Sequence, residues 1–272
     1  MSNTIFVPID FSTYTAQQLM LARNWATWLH ADLWVVHQME DLLPSLADST
    51  MRLQIHYENK RVISKEWFKL QDEIFDENDQ VKFDPTSQNL IQYLDANTQS
   101  SSDNIIIMGL KGTGKLEQIF IGSMVTEVVE KLNQIVIAVP KMKSDIIPNK
   151  LFVSVHPKYA FNRDLFKRFI DKIEGKVHEI IFVSFAEEND NLLDLENHLD
   201  EFKAKMNSDL LISKRIYKGD KFNNLAFDEF EAAENSYLIL QKGGRTFKDK
   251  IFRKFMINEL VYRASIPLII LP

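Results

Sequence analysis

Ile119–Pro140 reads IFIGSMVTEVVEKLNQIVIAVP, and Ile251–Pro272, 132 residues further on, reads IFRKFMINELVYRASIPLIILP. Ile119 matches Ile251, Phe120 matches Phe252, Met124 matches Met256, Glu127 matches Glu259, Val129 matches Val261 and Pro140 matches Pro272. Most apolar positions agree, without a gap, so the late part of one unit has been copied. A chain of 272 residues has room for two such units, each with its own core. The expected domains are residues 1–142 and 148–272, with a short linker near Lys141–Asn149 flanked by Pro140 and Pro148.

Working outward from the repeat, the strongest apolar runs are short and rich in Ile and Val: Ile5–Ile9, Leu33–Val36, Ile105–Met108 and Ile135–Val139. Such runs read as strands covered on both faces. Helical patterns lie between them over 15–29, 54–76, 86–96 and 124–132, with a brief strand at 80–83. The alternation restarts with strands at 151–155, 179–185, 210–217, 237–240 and 267–271 and helices at 163–173, 190–206, 222–232 and 257–263. The expected fold is therefore α/β: two tandem open, mostly parallel five-stranded sheets flanked by helices, of nucleotide-binding type.

A net charge of -6 argues against DNA or RNA as partner, which needs concentrated positive surface. There is no cysteine, which excludes disulfides, thiolate catalysis and cysteine-based zinc sites. The opening MSNTIFVPIDFS runs straight into a strand, with no basic segment before a long apolar run, and no apolar run approaches the roughly 20 residues that cross a bilayer. A cytoplasmic protein without membrane contact is the expectation.

The most informative local feature is Met108-Gly-Leu-Lys-Gly-Thr-Gly-Lys115, followed by Gly122-Ser123. It connects an apolar strand to a helix, at the carboxyl end of the sheet where open α/β domains bind ligands. Glycine there allows positive φ and lets phosphate approach the backbone, while a helix starting near Ser123 offers unpaired N–H groups. A dinucleotide-binding loop would carry its glycines after the first strand, and a P-loop would need Ser or Thr after Gly114-Lys115, where Leu116 stands. A tight connection without a ligand is the other reading of the same glycines.

Gly109, Gly112 and Gly122-Ser123, at separations of two and nine intervening residues, resemble the ATP-binding motif of the universal stress protein family. Val7-Pro8-Ile9-Asp10-Phe11-Ser12 is similar to that family's opening, and the resemblance covers nearly the whole chain as a tandem pair. It implies ATP, ADP or AMP as ligand and a stress-response or regulatory role. It also implies that Asp10 contacts the nucleotide near ribose or phosphate, that the backbone around Val36 meets adenine, and that Gly109, Gly112, Gly122 and Ser123 surround ribose and phosphates. Thr113, Lys111 and Lys115 are further candidate phosphate contacts, with solvent exposure as the alternative for the lysines. Mg²⁺ beside Asp10 is expected only where it accompanies the nucleotide. Family members usually dimerise, so the tandem chain is expected to form an internal pseudo-dimer in which 135–139 meets 268–271, with further homo-oligomers open.

In the second copy Gly109 becomes Gln241, Gly122 becomes Lys254, Ser123 becomes Phe255 and Asp10 becomes His156, while Gly112 keeps its counterpart Gly244. No triphosphate is expected there. Asp10 has an alternative role as a cap for the following helix. Residues 39–54 are either a lid over the nucleotide or a short helix at the domain boundary. The basic run at 242–254 reads as a solvated face, with an anion or an acidic partner as the alternative, and the tryptophans read as packing groups or interface residues. No catalytic constellation is recognisable, so the expected function is nucleotide-dependent regulation through an unknown protein partner. A nucleotide-independent interaction scaffold and a weak ATPase are the alternatives.

Overall fold

The structure is a computed structural model that describes residues 3–39, 48–99, 101, 103–110, 123–140, 147–173, 175–186, 189–206, 210–218, 229, 232–233, 235–243 and 266–272. The first half contains β1 (Thr4–Pro8), α1 (Thr15–Leu29), β2 (Asp32–Gln38), α2 (Ser49–Ile74), β3 (Val81–Thr86), α3 (Leu90–Thr98), β4 (Ile105–Gly109), α4 (Ser123–Lys131) and β5 (Ile135–Val139). The second contains β6 (Lys150–Ser154), α5 (Arg163–Ile173), β7 (Glu179–Ala186), α6 (Leu192–Lys205), β8 (Leu211–Lys218), β9 (Ser236–Gln241) and β10 (Leu268–Leu271). The helices expected at 222–232 and 257–263 fall largely and wholly outside the described residues, respectively.

The two runs of five strands are parts of one sheet, in the order β3-β2-β1-β4-β5-β10-β9-β6-β7-β8. Every pairing is parallel except β5 with β10, which is antiparallel at Ala138↔Leu268, Ile137↔Ile269 and Val136↔Ile270. Ile137 and Ile269 are equivalent residues of the repeat, so a local two-fold axis passes between them. The sheet sides alternate as strand geometry requires. Ile5, Val7, Ile105, Ile107, Ile137 and their second-half counterparts face the layer of α1, α2, α5 and α6. Phe6, Ile106, Met108 and Val136 face α3 and α4. Trp25 of α1 is fully buried and reaches across the halves, 6.4 Å from Phe169 and 6.0 Å from Tyr237 between ring centroids.

Two helix starts differ from expectation by four or five residues, each because of a local cap or pairing. α2 starts at Ser49 instead of 54, since Asp48 accepts a hydrogen bond from the Met51 amide at 2.8 Å and caps it. Of the connection 39–54, residues 49–54 are therefore helix and 40–47 lie outside the described residues. α3 starts at Leu90 instead of 86, capped by Asn89, because β3 continues to Thr86 beside β2. Pro85 is tolerated there because β3 is an edge strand.

Candidate functional site

In the first half the strand order places β1 between β2 and β4, with β4 reached only after the chain has passed through β2 and β3. The direction of winding thus reverses between β1 and β4, and the crevice of such sheets opens there, at the carboxyl ends. Asp10, two residues past β1, is exposed at this edge. Its Oδ1 accepts from the Ser12 amide at 2.9 Å and from the Thr15 hydroxyl at 3.5 Å. The carboxylate therefore shapes the turn into α1. Phe11 takes a left-handed conformation at φ 53°, an uncommon state for a bulky residue, and packs edge-on against His37 and Phe83. The His37 Nδ1 lies 2.9 Å from the Ile9 carbonyl, so it must be the protonated, donating nitrogen. Val36 is fully buried, and its carbonyl accepts from the Ile9 amide at 2.8 Å.

Gly109 ends β4 opposite Val139. The next amide, Leu110, donates to the Val139 carbonyl at 2.8 Å. Because successive backbone groups of a strand turn to opposite neighbours, the Gly109 amide faces β1 and the crevice. Tyr14, Gln17 and Gln18 of α1 and its approach, together with Gly109, Leu110, Val139 and Pro140, line a cleft of about 20 Å³, room for about one water molecule. Lys111, Gly112, Thr113, Lys115 and Gly122 lie outside the described residues, as does the side chain of Ser123, whose backbone opens α4.

Sequence reasoning missed Gln18. It is 7% exposed, and its Nε2 donates to the carbonyls of Pro8 at 2.8 Å and Ile107 at 3.0 Å, bridging the fork between β1 and β4. With carbonyls on both sides, the amide must present its NH₂ group. The available signal was a polar residue in register with the buried face of an otherwise apolar helix stripe.

The second half repeats these contacts at shifted numbers. The Val155 amide donates to the Val183 carbonyl at 3.0 Å as Ile9 does to Val36, and Lys242 donates to Leu271 at 2.7 Å as Leu110 does to Val139. The Lys158 amide donates to His156 Nδ1 at 3.2 Å, the same turn that Ser12 makes on Asp10. With Nδ1 accepting, the proton of a neutral His156 sits on Nε2, which donates to Asp190 Oδ2 at 3.2 Å. The Asp190 side chain is 2% exposed and also pairs with Lys158.

Gln241 stands at the ladder position of Gly109, and its side chain fills that space. Its Oε1 accepts from the Asn162 amide at 3.0 Å, and its Nε2 donates to the carbonyls of Pro272 and, at 3.5 Å, Leu271. The loop after β6 is thus tied on one side to Asp190 and on the other to β9 and β10. The counterparts Gly244, Lys254 and Phe255 lie outside the described residues. Lys242 is no solvated cation: its Nζ donates to the Leu132 carbonyl at 2.9 Å and to Asn133 Oδ1 at 3.4 Å. Burial holds its pKa below the usual lysine range, with Glu130 acting in the opposite sense. A second-half ammonium therefore closes the carboxyl end of α4, whose amino end follows the glycine loop.

Among the described residues no group of three or more His, Asp or Glu side chains is placed to hold a metal, and no helix is long and apolar enough to cross a membrane. No family model matches the sequence, and no curated protein matches it. Solved structures do match. A universal stress protein from Archaeoglobus fulgidus DSM 4304 is similar with a TM-score of 0.63 at 14% identity, covering 100% of this chain and 96% of that one. A putative universal stress protein from Pseudomonas aeruginosa UCBPP-PA14 gives 0.56 at 12% identity, over 99% and 93% of the two chains. A functionally unknown protein from Pseudomonas aeruginosa PAO1 gives 0.54 at 13% identity, over 99% and 92%. Over its whole length the chain has the fold of a universal stress protein.

Proposed function

We propose that this chain is an adenine-nucleotide-dependent regulatory protein acting in a stress response, with one nucleotide site, in the first half. ATP is the expected ligand, with ADP or AMP as variants of the same site. The observation that carries this reading is the contrast at one ladder position: Gly109 brings no side chain of its own to the first crevice, whereas Gln241 occupies the second and ties its loops together. The glycine spacing in the sequence supplies the phosphate chemistry, and the whole-length likeness to universal stress protein structures supplies the setting.

In this reading the phosphates lie over Gly109, Gly112 and Gly122, at the amino end of α4, where backbone N–H groups and the helix dipole favour negative charge. Thr113 and Ser123 offer hydroxyls, Lys111 and Lys115 offer charge, the backbone near Val36 meets the base, and Asp10 meets the ribose or phosphate side. Magnesium, where it accompanies the nucleotide, would draw on Asp10. Lys242 holds the other end of α4, so a ligand that shifts this helix is felt in the second half. A protein partner then reads the change.

Calorimetric titration of nucleotide-stripped protein with ATP and Mg²⁺ tests this directly. One site per chain is expected. Two equivalent sites would refute closure of the second crevice, and no binding by folded protein would turn the reading to a nucleotide-independent interaction scaffold. A specific feature favours that second reading: α2 exposes Met51, Leu53, Tyr57, Val62 and Phe68, each by 47% or more.

A further inference from the structure

We infer that Pro8 and Gln18 together wedge β1 and β4 apart, and that this wedge sets the mouth of the first-half crevice. The inference rests on the reading of that crevice as the nucleotide site, and Gln18 is a positioning residue in it.

The pairing of β1 with β4 stops early, at Ile5↔Ile105 and Phe6↔Ile106. Continuing the ladder would require the N–H of residue 8 to donate to the carbonyl of Ile107. Residue 8 is proline, which has no N–H. The orphaned Ile107 carbonyl and the Pro8 carbonyl facing it are both served by Gln18 Nε2, at 3.0 and 2.8 Å. A side chain on α1 thus supplies the donor that the strand lacks, and its amide occupies the fork just below Gly109.

The second half supplies an internal control. Matching of the ladders puts Ser154, which has an N–H, where Pro8 stands. There the equivalent pairing runs one step further, through Leu151↔Tyr237 and Phe152↔Leu238 to Val153↔Ile239. The fork closes at the strands themselves, and above it Gln241 fills the remaining space. One half is held open by a proline and a helix glutamine, and the other is zipped and plugged. Two buried carbonyls depend on one amide, so removing the amide strands both acceptors at a cost.

The test uses the full-length chain and three proteins: the natural one, Pro8→Ser and Gln18→Leu. ATP affinity is measured with Mg²⁺ by calorimetry, the fold by circular dichroism, and amide protection by hydrogen exchange. In Pro8→Ser the backbone amide gained at position 8 is expected to be protected, because it joins the ladder to Ile107. ATP affinity is expected to fall about tenfold in both variants, the scale of one misplaced buried hydrogen bond, with the fold retained. If the natural protein binds ATP and both folded variants bind it equally well, the wedge has no positioning role and the inference is overturned. If the amide gained at position 8 exchanges freely, the ladder argument is wrong. If the natural protein itself fails to bind, the nucleotide reading fails first. In Gln18→Leu, loss of stability with unchanged affinity would mark a purely structural glutamine and overturn its positioning role.

Discussion

Gly109 and Gln241 occupy the same place in two copies of one ladder, and the difference between them is a side chain's worth of space. Gln241 fits without breaking its strand, since β9 pairs with β10 through Gln241↔Leu271. Gly109→Gln should therefore fold, while placing an amide where the nucleotide needs access. ATP affinity is expected to fall by about a hundredfold or more, a loss of about 3 kcal/mol. Isothermal titration beside a thermal melt would check this, and a variant that binds as tightly as the natural chain would remove Gly109 from the site. The roles of Asp10 and His156 are also legible only at this scale. Each accepts the amide two residues on, so an acid and an imidazole make the same turn. The difference lies in what the remaining atoms do, and in His156 both ring nitrogens are committed within the protein.

At the scale of elements, α2 and α6 have faces that can be told apart by substitution. Trp67 is 3% exposed and stacks on Phe83 with 4.6 Å between ring centroids, whereas its neighbour Phe68 is 59% exposed. Trp67→Ala is expected to lose about 3 to 5 kcal/mol of stability, and Phe68→Ala to stay within about 0.5 kcal/mol. Chemical denaturation of the two variants would show whether α2 docks by the face described. On α6, His198 packs edge-on against Phe202, and its Nε2 is buried without a hydrogen-bond partner among the described residues. Burial, followed by the nearby Arg163 guanidinium, holds its pKa below the usual histidine value, with Glu201 opposing. The unfolded chain therefore takes up this proton first as pH falls, and stability declines from about pH 6.5 downward. In His198→Phe that part of the acid-side slope, which sets in below about pH 6.5, should disappear. Urea denaturation across this range would check it, and an unchanged slope would mean that His198 protonates equally well in the folded state.

For the whole molecule the decisive contact is β5 with β10. The local two-fold axis through Ile137 and Ile269 makes each half the partner that the other would otherwise need at its edge. Residues 1–142 expressed alone would leave β5 as an unpaired, fully buried-type strand of Ile and Val. Such a fragment is expected to form a dimer through β5 pairing with itself about Ile137. Sedimentation would read this, and a stable monomer would show that the edge is protected in some other way. Trp25, in contact with both Phe169 and Tyr237, adds a second cross-half anchor away from the strands.

The duplication and the order of the described strands and helices were legible in the sequence, because they rest on local periodicity and on a register that needs no folding to be seen; the candidate glycine loop was read there too, and its residues 111–122 lie outside the described residues. Helix starts at Ser49 and Leu90 were misplaced because a cap or a strand neighbour decides them, and those are contacts beyond the apolar pattern. The meeting of 135–139 with 268–271 was expected only through the family resemblance; its antiparallel register, which makes one sheet of two, belongs to the tertiary structure, since edge pairing joins residues 130 or more positions apart. So does the asymmetry of the crevices. Sequence gives the exchange of Gly109 for Gln241, but only the fold shows that the glutamine ties Asn162 to Pro272. Pro8 in the sequence is simply a proline after Val7. It becomes the end of a ladder once β4 lies beside it, and Gln18 acquires its role because two carbonyls from distant strands need one donor.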